Sequence, residues 1–409
     1  MKATKVLTVA LATLLIPAAA HAVKIPLPIE GATLNLSFQL QTQFLMQENG
    51  AANGNDNSYD IFIRRSRLLV NGDINQNFSY LIQIDNPNYG KKGNFNGRGI
   101  IQDAWVGWAP TGITGGTVFY VDAGLLLIPF SHNGLESTTN FITADIQTDS
   151  LRGLNAGSLT GLRDTGVQIR GWALDKRIGF RGGIYEGIRL ASGPDAGKTP
   201  GNTLSPKSNP QFAGFINFDI IGSEEGGWLY GAYKWGKDPI LSIGGSALYQ
   251  SQALRKLGDV AGVLGIADQQ LISGDVYLNL PMTEAAELVA EATVYFNRNG
   301  SNSVDTGIGG FGDIGYRFGA IAPYVGYEFF SADSCDTTNL SIAQCAPLAG
   351  TKGDSRNFKV GLNFFFNKNF NHVNAEFTIN HGQSKDAAAN TTLAAVNTKS
   401  FLLHWNNIF

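Results

Sequence analysis

The stretch Thr33-Leu-Asn-Leu-Ser-Phe-Gln-Leu-Gln-Thr-Gln-Phe-Leu-Met-Gln47 alternates apolar and polar side chains at a period of two. One face carries Leu34, Leu36, Phe38, Leu40, Thr42, Phe44 and Met46. The other carries Asn35, Ser37, Gln39, Gln41, Gln43 and Gln47. Successive side chains of a strand point to opposite faces, so this segment is a strand with one greasy side and one wettable side. It is longer than the about 5–6 residues of an ordinary soluble strand and meets the about 9–11 that a tilted membrane strand needs. A row of glutamines turned to a dry core would leave amides unpaired, at about 1–3 kcal/mol each. The same row turned to a water-filled lumen carries no such penalty.

The pattern recurs along the chain. Phe78, Tyr80, Ile82 and Ile84 oppose Ser79, Gln83 and Asp85, and Val276, Leu278 and Leu280 oppose Asp275, Tyr277 and Asn279. Val360, Leu362, Phe364 and Phe366 oppose Lys359, Gly361 and Asn363. Val373, Ala375, Phe377 and Ile379 then oppose His372, Asn374, Glu376, Thr378 and Asn380. Asn367-Lys368-Asn369 between the last two runs is a tight-turn sequence. Short turns on one side and long polar loops on the other are the asymmetry of an outer-membrane barrel. Phe401, Leu403, Trp405 and Phe409 bring the alternation to the last residue, resembling the C-terminal signal read by the barrel assembly machinery. About seventeen candidate strands are countable, and bacterial single-chain barrels favour even numbers. The expected fold is therefore all-β, a transmembrane antiparallel β-barrel of about 16 strands (18 is the neighbouring solution), as one domain over residues 23–409.

The N-terminal segment reads as an address. Lys2 and Lys5, the apolar run Val6 to Ile16 and the small-x-small site Ala20-His21-Ala22 form a signal peptide cleaved after residue 22. Beyond it no run of about 18 apolar residues exists to make a membrane helix. Mean hydropathy is −0.04, charged residues are 15% and glycines number 50. A barrel gives such an average because its two faces cancel. Cleavage would remove Lys2 and Lys5 and shift the net charge from −3 to about −5, which argues against nucleic acid as a partner. Cys335 and Cys345, close together in a polar stretch of an exported chain, are expected to form a disulfide closing a loop tip, with two free thiols or half a metal site as the alternative.

Motifs of enzyme chemistry fail on context. Gly310-x-Gly312-x-x-Gly315 matches a dinucleotide fingerprint, but Tyr316-Arg317-Phe318 continues a strand where a helix must begin. Gly231 to Lys237 has Asp238 where a P-loop needs Ser or Thr. The segment Gly193 to Thr199 is one residue too short. Beyond the leader, His132, His372, His381 and His404 show no metal-ligand spacing among themselves, and no serine motif suggests a barrel lipase. No catalytic residue, cofactor or metal is expected.

At Ile63-Arg64-Arg65-Ser66-Arg67-Leu68 the chain resembles a family: Tyr59 to Gly72 is similar to the arginine-rich second strand of the phosphate-selective porins O and P. Matches continue in order through Asp103-Ala104-Trp105-Val106, Gly124 with Pro129-Phe130, Leu135-Glu136-Ser137 and Phe141-Ile142. They go on through Asp164-Thr165-Gly166-Val167-Gln168, Leu241 to Ser246 and Val360-Gly361-Leu362-Asn363. The resemblance implies a trimeric sixteen-stranded porin of the outer membrane with a loop folded into its pore. It also implies that Arg65 and Arg67 are luminal arginines. Parity places Arg170, Arg177 and Arg181 inside too, the alternative for each being an arginine at the lipid headgroups. Arg64 has the wrong parity beside Arg65 and Arg67, so a bulge intervenes or one residue lies at the rim.

Pro129 to Asp164 is too long for a hairpin turn and is the expected constriction loop, carrying Glu136, Asp145, Asp149, Arg152 and Arg163. Here the sequence departs from the family. Leu127-Ile128 stands where a lysine belongs, and the loop is acidic, whereas a phosphate pore crowds donors at its narrowest point. The expected function is passive diffusion of small hydrophilic solutes, with phosphate or another anion as the narrower version. A scaffold barrel seating a partner such as a cytochrome is the alternative. The chain has no CxxCH haem site of its own.

Overall fold

The computed structural model describes residues 23–97, 99–113, 119–151, 162–188, 209–224, 228–236, 238–257, 264–299, 306–332, 352–386, 391–392 and 396–409. The first strands are β1 (Val23–Pro26), β2 (Thr33–Gln47), β3 (Ser58–Asp73), β4 (Phe78–Asp85), β5 (Ile100–Trp108) and β6 (Phe119–Leu127). Next come β7 (Arg163–Ala173), β8 (Ile178–Tyr185), β9 (Gln211–Ile221), β10 (Ile240–Leu257), β11 (Leu264–Thr283) and β12 (Ala286–Asn299). The last are β13 (Gly307–Phe318), β14 (Ile321–Ala332), β15 (Lys352–Asn367), β16 (Asn371–Asp386), β17 (Thr391–Thr392) and β18 (Val396–Ile408). The opening quotation of the sequence is β2, residue for residue.

From β2 to β16 each strand pairs antiparallel with the next. β16 then pairs with β18, and β18 returns to β2 with Ser400 opposite Gln47 and Ile408 opposite Gln39. The wall is thus a closed antiparallel barrel of sixteen strands. Closure leaves no edge, which hydrocarbon demands because it offers nothing to a free N–H or C=O. The two remaining strands are short. β17 pairs with the end of β16, and β1 pairs with the start of β2, in line with β18. At that seam Phe38 and Phe409 exchange backbone hydrogen bonds of 3.0 and 2.8 Å.

β9 shows how parity sorts the faces. Phe212, Ile216, Phe218 and Ile220 are exposed outward, whereas Gln211, Phe215, Asn217 and Asp219 are buried inside. The same outward set, including Ile243, Ile272, Val294, Ile314, Val325 and Val360, wraps the cylinder in large exposed apolar side chains. No water-soluble surface tolerates so wide a patch, and a bilayer supplies the missing cover.

One rim carries the short turns 74–77, 174–177, 284–285, 319–320 and 368–370, and the other carries long loops such as 86–99 and 128–162. Long loops are extracellular in such barrels and short turns periplasmic. The connection 222–239 between β9 and β10 breaks the rule, being long on the short-turn rim. Wall height is uneven as well. β4 and β8 have 8 residues each, against 18 in β10 and 20 in β11.

Ile216 lies at the middle of β9 and points outward, 56% exposed. Ile216→Lys should lower stability by about 2–4 kcal/mol in urea-dependent folding into lipid vesicles. An unchanged midpoint would contradict the placement of that face against lipid.

Candidate functional site

The loop after β6 enters the lumen through local chemistry legible in its residues. Gly124 has φ 137°, and a Cβ there would lie 2.1 Å from the Ala104 carbonyl oxygen, so only glycine lets β6 approach β5 this closely. Past Pro129-Phe130 the chain turns inward at Ser131, which holds φ 62°. The Ser131 hydroxyl accepts from the Gly134 N–H at 3.1 Å, and a single 3-10 turn follows at Asn133–Leu135. Apolar anchors then fix the loop. Phe130 stacks on Tyr295 at 6.0 Å, Leu135 packs with Phe215 and Tyr230, and Ile142 packs among Tyr233, Tyr277 and Tyr324. Each such side chain contributes about 1.5–3 kcal/mol on leaving water.

Polar pins hold the loop to the wall of β13 to β16. Gln147 donates to Asp313 (2.7 Å), the Ser150 N–H to Glu328 (2.9 Å) and the Ala144 N–H to Glu376 (3.1 Å). Asn357 donates to Asp149 (2.8 Å). The glycine-rich stretch resembling a nucleotide fingerprint is strand β13, which continues through Tyr316-Arg317-Phe318. Its inward glycines clear space for the loop: a Cβ on Gly309 would meet the Ser150 carbonyl oxygen at 2.5 Å.

Across the lumen stands the arginine wall. Register between β2 and β3 shifts by one residue between Gln41 and Thr42, and Arg64 is the extra residue. That bulge resolves the parity conflict by turning Arg64 inward beside Arg65. Both reach the loop residue Asp145, at 2.7 and 2.8 Å. Arg67 pairs with Asp85 (2.9 Å) and donates to Thr138 of the loop (2.9 Å). The glutamine stripe of β2 is inside as expected, but it serves the loop more than water. Gln41 donates to the Thr138 carbonyl (2.9 Å), and Gln39 to its hydroxyl (3.1 Å). Between this wall and the loop lies a cavity of ≈ 620 Å³ whose lining includes Arg64, Arg65, Arg67, Asp85, Glu136 and Arg163.

Arg170 and Arg181 also face inward and are buried. Arg170 pairs with Asp122 (2.8 Å) and lies 4.1 Å over the Tyr120 ring, and Arg181 donates to the Trp228 carbonyl (2.7 Å). Two expectations need correction. Arg177 has the luminal parity but precedes β8. It sits exposed on the turn 174–177, donating to the Asp219 and Ile220 carbonyls at the rim, because parity orients a side chain only within the ladder. Arg163 is the first residue of β7 and belongs to the wall, where it pairs with Asp103 at 3.3 Å, because pairing with Leu127 begins there. Arg152, Cys335 and Cys345 lie outside the described residues, as does the segment 1–22.

Sequence reasoning missed the connection 222–239. It folds up into the lumen from the short-turn rim and meets the constriction loop edge to edge. The Tyr230 N–H donates to the Leu135 carbonyl (3.0 Å), the Ser137 N–H to the Tyr230 carbonyl (3.0 Å), and the Ala232 N–H to the Asn140 carbonyl (2.9 Å). Trp228 stacks on Trp105 at 4.4 Å. The signal was its length on a rim of tight turns. Where the two segments meet, the His132 ring is sandwiched between Tyr230 and Tyr277, at 4.9 and 4.7 Å. Its Nε2 is 2.8 Å from Glu224, which also pairs with Lys234 (3.2 Å). Its Nδ1 faces Glu136 at 3.6 Å and Glu291 at 3.7 Å. Burial lowers the His132 pKa, but Glu224, Glu291 and Glu136 outweigh it and hold the ring well above its ordinary value. Burial, then the Glu291 charge, pushes the Glu136 carboxyl well up. Both shifts say that the junction is short of positive charge.

Residues 34–208 match the family model described as Phosphate-selective porin O and P. No curated protein matches the chain in sequence. Among solved structures, the porin fold is shared with the anion-selective porin from Comamonas acidovorans at a TM-score of 0.58 and 13% identity, covering 92% of this chain and 100% of that one. It is shared with the outer membrane channel DcaP of Acinetobacter baumannii at 0.55 and 12%, covering 93% and 98%. OprB of Pseudomonas putida follows at 0.58 and 9%, covering 92% and 94%. The chain has the fold of these porin barrels, and the described part of the loop after β6 packs inside its lumen.

Asp145 ties that loop to the arginine wall. Burial raises its pKa, but Arg64, Arg65 and His404 pull the carboxyl well below its ordinary value. A depressed carboxylate stabilises above its unfolded pKa of about 3.9 and stops doing so only as pH falls through the lower folded value. Single-channel conductance should therefore stay steady from pH 7 to 5. Asp145→Ala should cost on the order of 2 kcal/mol in urea unfolding and add noise to the open-channel current. A quiet, fully stable D145A channel would show that the loop is held elsewhere.

Proposed function

We propose that this porin conducts small hydrophilic solutes by passive diffusion, with a weak preference for anions. The observation that carries the reading is the pairing of charges around the cavity. Arg64, Arg65, Arg67 and Arg163 stand against Asp85, Asp103, Glu136 and Asp145, most of them at salt-bridge distance. A strict phosphate pore needs donors free to replace the solute's lost hydration. Here the guanidinium groups of the wall already spend theirs on carboxylates. The preference for anions comes from the mouth, where Lys91 of the loop 86–99 lies within electrostatic reach of Arg64.

A scaffold role draws no support from the lumen. Described parts of the constriction loop and of the 222–239 connection occupy it, and the cavity beside the arginine wall, ≈ 620 Å³, has the size of a small-molecule site. A homotrimer is part of the proposal. The 8-residue strands β4 and β8 fall short of the about 9–11 residues needed to cross the hydrocarbon, so a neighbouring copy covers this low wall. Export through a leader cleaved after residue 22 and delivery through the C-terminal strand ending in Phe409 complete it.

Planar-bilayer recording tests the reading. Discrete unit conductances are expected, with a small reversal potential of anion-selective sign in a tenfold KCl gradient. Arg67→Ala, which leaves Asp85 unpaired, should move that potential toward cations. A reversal potential near the full Nernst limit would mean strict anion selectivity, and a silent barrel would favour the scaffold. Native mass spectrometry in detergent should show three copies.

A further inference from the structure

We propose that His132, Glu136 and Glu291 form a binding site for a divalent transition cation of the Zn2+ type, which clasps the constriction loop to the barrel wall. The three side chains come from two elements, the loop and strand β12, and one ligand atom of each lies within 4.8 Å of the others. They are nearly fully buried, at 3%, 4% and 5% exposure. His132 Nδ1, Glu136 Oε1 and Glu291 Oε2 each lack a hydrogen-bond partner among the described residues. Buried polar atoms are almost always paired, so three orphans aimed at one point mark a missing guest.

The geometry favours a metal over a proton. Glu224 accepts the Nε2–H of His132 at 2.8 Å, which leaves Nδ1 with its lone pair toward Glu136 and Glu291. This carboxylate–histidine arrangement is the usual second support of a metal-bound imidazole. A proton on Nδ1 would draw a carboxylate to about 2.7–2.9 Å. The observed separations are 3.6 and 3.7 Å. A cation about 2.0–2.2 Å from each atom in a tetrahedral site spaces its ligands by about 3.3–3.5 Å, close to what is found. One imidazole nitrogen with two carboxylate oxygens suits zinc better than magnesium or calcium, which take all-oxygen sets. Charge agrees: a dication with Lys234 balances Glu136, Glu224 and Glu291, with Asp275 nearby bonded to the His132 N–H and Thr293. Glu136 also lines the cavity, so the ion and a fourth water ligand have a route in.

The test uses tag-free full-length protein in detergent, stripped with a chelator and equilibrated with micromolar Zn2+ or Co2+ alone. The expected result is one metal per chain by elemental analysis and visible absorption from tetrahedral Co2+. Glu224→Gln should weaken retention by about 10–100-fold. His132→Gln and Glu291→Gln should abolish it while unheated gels still show a folded barrel. Should those variants fail to fold, X-ray absorption on the wild-type zinc form must show one imidazole in the first coordination shell. No stoichiometric metal, equal retention by wild type and both ligand variants, or a shell without imidazole would overturn the site.

Discussion

A backbone inside hydrocarbon can bond only to itself, and everything else in this protein follows from that constraint. The sheet has to close, so β18 returns to β2 and the seam between them is bonded at Phe38 and Phe409. Closure in turn creates an inside. Period-two alternation, which in a soluble sheet separates core from solvent, here separates lipid from lumen. The inner face can therefore hold Arg65, Arg67, Asp85 and Asp122, because partners stand within reach on neighbouring strands and loops.

The lumen is nonetheless closer to a core than to a pipe. Phe130, Leu135, Ile142 and Leu151 of the constriction loop are sequestered as completely as any core residue, packed on aromatic side chains of the wall and of the 222–239 connection. Polar contacts set the loop's position around this apolar skeleton. The result is a channel whose charged groups are held in place by packing on one side and by ion pairs on the other.

How much of this the sequence reveals depends on which interactions are local. β2 is legible to the residue because its alternation is a property of a single strand. The strand count is legible for the same reason, about seventeen candidates that the even-number preference of such barrels reduces to the sixteen of the wall. Arg64 exposes a conflict that a lone strand cannot settle, since a bulge is defined only against its partner. Arg177 shows the reverse failure, with correct parity applied one residue beyond the ladder. The His132 junction is invisible to histidine spacing, because Glu291 comes from a strand far along the chain and Glu224 from a connection on the opposite rim. The i, i+4 pair His132 and Glu136 is the only part of it that a reader of the sequence could have marked.

The meeting of two infolded segments from opposite rims ties the throat to the whole cylinder. The loop leaves the wall after β6 and the connection after β9, and their junction leans on β12. No local stretch of chain can make that junction in advance. The throat's dimensions therefore depend on the circumference of the closed cylinder as much as on the loops themselves.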